Sequence, residues 1–497
     1  MNLYWGDIHN HCGISYGYGS LENALAVARE QLDFCAVTGH ASWHDMPKRT
    51  ASLEFMIDFH KRGFAKLAKH WDAVRQTIES ANRPHEFVTF QSYEAHSRKY
   101  GDHHILSPSP DLRLVEADSP QALIAQLRPR QVIAIPHHIA YVPGYRGIDW
   151  DHFSSMISPV VEVYSKHGCG MSDTDPYPYL HTMGPRDGRN TVRAGLRRGY
   201  RFGFVASTDH HAGYPGSYGD GRLAVLAKAK TREAIWDAIM ARRTYAVTGD
   251  KIACRFRINE APMGSEIAAS GRRDIVLDVR ACDAIDKIVV YKNCEPWRAT
   301  CGETIRVGAS SRTFKVRVEM GWGRSEEAFD WQGEIAICDG SFRSVEGCFR
   351  GRSVLSPSRD KDEDADINAL DNRIVEQTKA RVAWRCTTFK NPSTLHPQTA
   401  AIILEIDGDE RSVLEVRLNG QVMVATIGEL LESSRGMHIH GYGSEAFLVH
   451  QAVPEAAYCF HGAWRDIKPL LDCDVYDVRV GQCNGQYAWL SPIFVQS

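Results

Sequence analysis

His9 and His11 stand two positions apart, directly behind the apolar, aromatic start Leu3-Tyr4-Trp5. On a strand, residues so spaced point to the same face, so the two imidazoles can hold one metal ion between them. An isolated pair of this kind is more often just two hydrogen-bonded polar residues. Recurrence is what favours the metal: His40, Glu94, His137, Glu162 and Asp209 each close a short apolar run of strand character. Core packing gives no reason to put ionisable groups at such ends repeatedly. Histidine, of which the chain has 22, is the commonest protein metal ligand and titrates near neutral pH. With carboxylates beside it, the chemistry on offer is a mixed nitrogen and oxygen centre for zinc or manganese, with iron as a further option.

The elements that must position these residues alternate between strand and helix. Ser20 is placed to cap a helix in which Leu21, Ala24, Leu25 and Ala28 repeat at helical spacing. A strand over 33–40 follows at once, so both strands of this strand-helix-strand unit end in histidine. Residues 52–81 read as a long, mostly polar helix on which His60 and His70 are solvated. Further strands are expected over 86–94, 131–138, 159–165 and 201–211, with a helix opened by Ser119-Pro120. Such alternation indicates an α/β fold with a parallel sheet or barrel, where ligands gather at the carboxyl ends of the strands. Thr231 to Ile239 is a capped amphipathic helix.

Beyond residue 250 the texture changes. Alternating runs at 275–280, 287–291, 313–318 and 475–480 read as half-buried antiparallel strands. The expected organisation is therefore two domains, 1–250 carrying the site and 251–497 all-β and sandwich-like, with a charged, exposed loop near 356–371.

Composition narrows the function classes. The chain has 497 residues, 43% hydrophobic and 24% charged, as in an ordinary globular protein. A net charge of -3 gives no general attraction to nucleic acid or an acidic membrane surface, and charge says nothing further about partners. Its 13 cysteines are odd in number and form no Cys-x-x-Cys pair. With no secretory signal and no apolar stretch near the roughly 20 residues that span a bilayer, a reducing cytoplasm fits best.

Laid out in this order, the first 250 residues resemble the PHP (polymerase and histidinol phosphatase) superfamily of metal-dependent hydrolases, in the branch that includes carbaryl hydrolase and many proteins of unassigned function. The likeness is carried by Asp7-x-His9-x-His11, the strands ending at His40 and Glu94, Pro136-His137, and Ser207-Thr208-Asp209-x-His211. Residues 241–249 and Tyr487 to Ile493 extend it to both ends of the chain. The resemblance implies a distorted (β/α)7 barrel with two or three metal ions. It places His9 and His11 on one ion with Glu94 and Asp209, has Glu94 bridge to a second held by His103 and His137, and assigns His40 and His211 to a third. His103 and His104 point to opposite faces of an extended segment, so one of them reaches the cluster; the resemblance favours His103. His137 is preferred to His138 because it follows the proline, and His211 to His210 because it shares a strand face with Asp209.

Two departures stand out. Gly39 occupies a position where the family has an aspartate, and the loop after the first motif offers only Ser15, Tyr16 and Tyr18 where a third-site ligand is expected. The expected chemistry is hydrolysis by a metal-bound hydroxide, with His167 or Tyr16 as candidate proton donors. An ester, carbamate or amide of a small molecule is the first choice of substrate, on the family branch and on the aromatic residues Trp43, Tyr141, Tyr145 and Tyr164. A phosphoester is the alternative, for which Arg98, Lys99, Arg146 and Lys166 would supply positive charge. A metal-stabilised binding protein without turnover is the second alternative, motivated by Gly39.

Overall fold

The computed structural model describes residues 1–127, 131–268, 271–302, 311–324, 327–354, 356–359, 365–391, 398–468 and 471–496. In chain order the first half runs β1 (Asn2–Asp7), α1 (Leu21–Gln31), β2 (Phe34–Cys35), β3 (Gly39–Trp43), α2 (Glu54–Ala81), β4 (Val88–Thr89), β5 (Gln91–His96) and β6 (His103–Ser107). It continues through α3 (Pro120–Gln126), β7 (Ile133–Pro136), β8 (Val160–Ser165), β9 (Gly168–Cys169), α4 (Val192–Arg197), β10 (Gly203–Ala206), β11 (Arg222–Ala227), α5 (Arg232–Met240) and β12 (Thr244–Val247). Ser20, Ser119 and Thr231 cap α1, α3 and α5 with their side chains, as the sequence indicates.

The fold is mixed α/β and rich in strands, but the strands do not close into a barrel among the described residues. They fall into separate sheets: β12-β11-β1-β2-β4, β3-β5-β6-β7 and β10-β8-β9. The expected strand over 33–40 divides because the chain leaves one sheet for the next at 36–38. There Ala36 N–H donates to Asp7 and Thr38 N–H to Asn10, which keeps the crossing against the first motif. The expected strand over 86–94 divides in the same way at Phe90. Parallel pairs (β1 with β2, β2 with β4, β3 with β5, β8 with β10) mix with antiparallel ones (β1 with β11, β5 with β6, β6 with β7).

Helix α2 buries Ile57, His60, Gly63, Leu67, Trp71, Val74 and Ile78, a stripe at three- and four-residue spacing. His60 sits on that stripe and is buried, contrary to the solvated position expected for it, while His70 lies one residue off it and is exposed.

The strand-rich second half is antiparallel apart from Glu266–Ala268, which runs parallel to Tyr487–Gln496. A nine-stranded sheet including Phe329–Cys348 and Ala400–Leu418 packs around Trp331, Trp384, Phe314 and Leu404. All four alternating runs named above lie in strands. Residue 250 is not a break in the structure, however. Tyr487–Gln496 pairs with β12, with Tyr245 opposite Leu490, and extends the β1 sheet into Cys473–Gln482 and Ile285–Lys292. One core holds Trp5, Leu226 and Tyr245 together with Ile252, Leu277, Val478 and Ile493. Of the charged loop, residues 360–364 lie outside the described residues. No helix among the described residues is long and apolar enough to cross a membrane, and the cysteines form no disulfide.

Candidate metal centre

The first motif leaves β1 and passes beneath the segment after β10. His11 N–H donates to His210 at 2.8 Å, Asp209 N–H to His9 at 2.8 Å and Gly213 N–H to His11 at 2.9 Å. Asp7, the motif's leading carboxylate, is fully buried and is not aimed at the cluster. It accepts from the Thr208 hydroxyl at 2.6 Å and from Gly216 N–H at 2.8 Å, tying the two segments together. Asp209 itself holds φ 52°, a left-handed conformation that aspartate tolerates better than most side chains.

These contacts bring His9, His11, His40, Glu94, His137, Asp209 and His211 to one place, all of them buried. The ligand atoms of His9, His104 and His137 lie within 4.8 Å of one another, as do those of His11, His40 and His211, and those of His9, His11 and Asp209. Glu94 lies between the groups. Its Oε2 is 3.3 Å from His9 Nε2 and 3.2 Å from His11 Nε2, and its Oε1 is 3.3 Å from His137 Nε2. Asp209 Oδ1 is 3.1 Å from His11 Nε2.

The remaining ring nitrogens are held from behind. Nδ1 of His9 meets Glu162 at 3.0 Å, that of His11 meets the Thr38 carbonyl at 2.6 Å, that of His40 meets Ser15 Oγ at 3.0 Å and that of His211 meets the Asp209 carbonyl at 3.0 Å. Such partners fix the tautomer and leave Nε2 as the free ligand atom, as in known metal sites.

Position 104, not 103, joins this cluster. In the β5–β6 register His104 lies opposite Glu94, whereas His103 lies opposite Ala95, and directly opposed residues share a face. The His104 ring lies 4.7 Å from that of His9. His103 instead turns Nδ1 to the Gly101 carbonyl at 3.0 Å. His138 turns to Asp102. His210 points toward Tyr214, in a loop rather than on the strand face expected to separate it from His211.

The donor set fits a divalent ion. Both ring nitrogens of His104 and Nδ1 of His137 are buried without a hydrogen bond, although a neutral imidazole always carries one N–H to place. Orphaned buried polar atoms ask for an unseen partner. Burial, then neighbouring imidazoles, push His40, His104, His137 and His211 well below the ordinary imidazole range. Burial opposes the charges on Glu94 and Asp209, yet the surrounding histidines hold both carboxyls well below theirs. Neutral imidazoles and ionised carboxylates are the protonation states that bind metal. His9 is the exception: burial disfavours its charge, but Asp209 and Glu162 outweigh it and raise it. These carboxylates draw a positive charge to the place where an ion would supply one.

A cavity of about 660 Å³ opens onto the cluster, a size that suits a small organic molecule. His40, Glu94, Asp209 and His211 form part of its wall; Trp43, Leu53, Phe55, Met56 and Phe59 make an apolar lip; Ser356 and Pro357 reach in from the second half of the chain. Both expected proton donors lie on the wall, but each is engaged. His167 meets Asp209 Oδ2 through Nε2 at 2.9 Å and the Tyr141 hydroxyl through Nδ1 at 2.7 Å. The Tyr16 hydroxyl lies 3.1 Å from His60 Nε2 and 3.3 Å from His96 Nε2, with its ring stacked on His40 at 3.5 Å. Of the four expected cations, Arg98 and Arg146 line the cavity; Lys166 is buried 3.8 Å from Asp220.

Neither His96 nor Asp102 is singled out by the sequence, which sets His104 and His138 against their neighbours and offers Glu162 and Arg146 without the partners they have here, His9 and Asp102. His96 carried a signal, lying two positions beyond Glu94 on the same strand face.

A family described as a protein of unknown function (DUF3604) matches residues 217–258. An uncharacterized protein of Chlamydia pneumoniae is 26% identical over 290 residues, covering 54% of this chain and 43% of the relative. One of Chlamydia muridarum is 24% identical over 297 residues, covering 56% and 44%. The chain thus spans less than half the length of these relatives. Among solved structures, it is similar to a two-domain protein of Bacteroides vulgatus containing a predicted PHP-like metal-dependent phosphoesterase: 13% identity, 58% of this chain and 79% of that one, TM-score 0.34. A lesion-specific endonuclease, EndoQ, of Pyrococcus furiosus shows 14% identity over 48% and 56%, TM-score 0.30. The carbaryl hydrolase branch is not shown by these likenesses.

Proposed function

We propose that the chain is a metal-dependent hydrolase that cleaves an ester, carbamate or amide bond of a small molecule bearing an apolar or aromatic group. The observation that carries this reading is the buried imidazole of His104, without a partner at either nitrogen, and that of His137, held only through Nε2 by Glu94, behind an open, apolar-lipped cavity whose wall includes Glu94. His9, His11, His40, Glu94, His104, His137, Asp209 and His211 would hold two or three ions, zinc or manganese best suiting the donors. Bound divalent ions would supply Lewis acidity and lower the pKa of water toward neutrality.

The chain's own groups do the rest. Glu94 and Asp209 gather the imidazoles around shared oxygens, and His167, occupied at both nitrogens, orients Asp209. The Tyr16 hydroxyl is kept protonated by burial and by the Glu94 charge, so it serves as a hydrogen-bond donor on the cavity wall. The lip formed by Trp43 and the start of α2 would take the apolar part of the substrate and exclude water.

A phosphoester is the second reading, favoured by Arg98 and Arg146 on the same wall. It ranks lower because Asp102 already engages the Arg146 guanidinium.

The test begins with elemental analysis of protein purified without chelator, beside Glu94→Gln and His9→Ala. About two or three ions per chain, fewer in both variants, is the expected result. A panel of p-nitrophenyl esters and phosphates, with and without chelator, then assigns the substrate class. A wild type that stays empty after reconstitution with zinc or manganese would overturn the reading.

A further inference from the structure

Beside the ligand set, a second group of polar side chains is gathered around Asp102, which is fully buried. Asp102 Oδ1 accepts from Ser97 N–H at 3.0 Å. Its Oδ2 is the meeting point of His96 Nδ1 at 3.0 Å, His138 Nε2 at 3.3 Å and the Arg146 guanidinium. Glu94 Oε1 stands 3.2 Å from the same His96 nitrogen. Two imidazoles and a carboxylate, with a second carboxylate alongside, repeat the donor chemistry of the neighbouring cluster. Here a guanidinium nitrogen stands among them, 2.5 Å from His96 Nδ1 and against Asp102 Oδ2.

Arg146 is held in this position from several sides. Its backbone takes φ 71°, in the left-handed region, and its N–H donates to the Arg98 carbonyl at 3.1 Å. Its guanidinium lies over the Trp43 ring at 5.1 Å. Burial works against both charges, yet each holds the other: Asp102 stays well below the ordinary carboxylate range and Arg146 is raised. A guanidinium is always charged and fixed by covalent attachment, so no chelator removes this cation.

We propose that Arg146 is a built-in cation that fills a latent metal position among Asp102, His96 and His138, and that removing its guanidinium opens a site for one additional divalent ion. This rests on reading the adjoining cluster as a metal centre. The native chain then carries ions at the histidine cluster alone, while the charge on this wall of the cavity is constant whatever the metal supply.

The experiment is metal analysis after reconstitution with zinc or manganese and desalting, on wild type, Arg146→Ala, Asp102→Asn and the double variant. Arg146→Ala should bind about one ion per chain more than wild type. Asp102→Asn should bind the wild-type number, and the double variant should lose the increment. An unchanged count in Arg146→Ala, or an increment that survives in the double variant, overturns the proposal. An empty wild type instead overturns the metal centre itself, so the two failures are distinct. Should Arg146→Ala be too unstable to purify, Arg146→Met keeps the volume without the charge. Added zinc should then raise its melting temperature more than that of the Arg146→Met/Asp102→Asn variant; equal shifts overturn the proposal.

Discussion

His103 and His104 sit next to each other and face opposite ways, and the centre depends on the difference. His104→Ala should weaken metal binding by more than about tenfold, since even outer partners of metal ligands are worth that much. His103→Ala should leave metal content unchanged and cost about 1 kcal/mol through its lost bond to Gly101. Elemental analysis and thermal melts of the two variants check this; equal loss of metal from both would contradict it. The sequence offered the histidines at 9, 11, 40, 137 and 211 and the carboxylates at 94 and 209 because each follows a strand-like run. It could not choose between 103 and 104, because that choice belongs to the pairing of His104 with Glu94, and a one-residue slip exchanges the faces. Gly39 shows the same limit. A Cβ there would lie 2.6 Å from Leu67 Cδ1 and 3.2 Å from Ile14 Cδ1, so the close approach of α2 accounts for a glycine at this position.

Among the elements, α2 does most to shape the cavity. Its first turns supply Phe55, Met56 and Phe59 to the lip, its His60 meets Tyr16, and its Gly63 lets the ligand-bearing loop lie against it. A Cβ at residue 63 would meet Tyr16 Cδ1 at 2.8 Å and Tyr16 N at 3.0 Å. On a free helix surface Gly→Ala stabilises by about 0.5–1 kcal/mol. At this contact Gly63→Ala should instead destabilise by about 1–3 kcal/mol through overpacking and lower turnover by moving Tyr16 off His60 and His96. Calorimetry and initial rates read the two effects separately; a stabilised, fully active variant would refute the contact. Helical periodicity made α1, α2 and α5 legible in the sequence, and alternation did the same for the later strands. The divided strands were not legible, because a crossing between sheets at 36–38 leaves the apolar run unbroken.

At the scale of the whole molecule, the cluster links stability to pH. His40, His104, His137 and His211 are held below the ordinary value of 6.5, so the unfolded chain binds protons there that the folded chain refuses. Their contribution is present above about pH 6.5 and is lost as pH falls. Glu162, raised by burial to about 7, and His9, also raised, act with the opposite sign, losing stability as pH rises through their windows. His60, His103, His138, His181 and His210 are held low as well, so the lowered imidazoles outnumber Glu162 and His9. Chelator-treated protein should therefore melt lower at about pH 5.5 than at about pH 7.5; a flat or inverted profile would contradict the burial of these imidazoles as neutral groups. The change of texture near residue 250 was legible, but the shared core of Trp5 and Tyr245 with Val478 and Ile493 was not, since no local pattern reports which distant strands pair. That pairing also sets an order in time. The ligands, from His9 to His211, leave the ribosome long before Tyr487–Gln496 arrives to back β12. At about 5–20 residues per second the interval is on the order of ten to fifty seconds. For that interval the clustered histidines and β1 to β12 are translated while Tyr487–Gln496 is not, so the sheet that carries the first motif waits for its outer neighbour beyond β12.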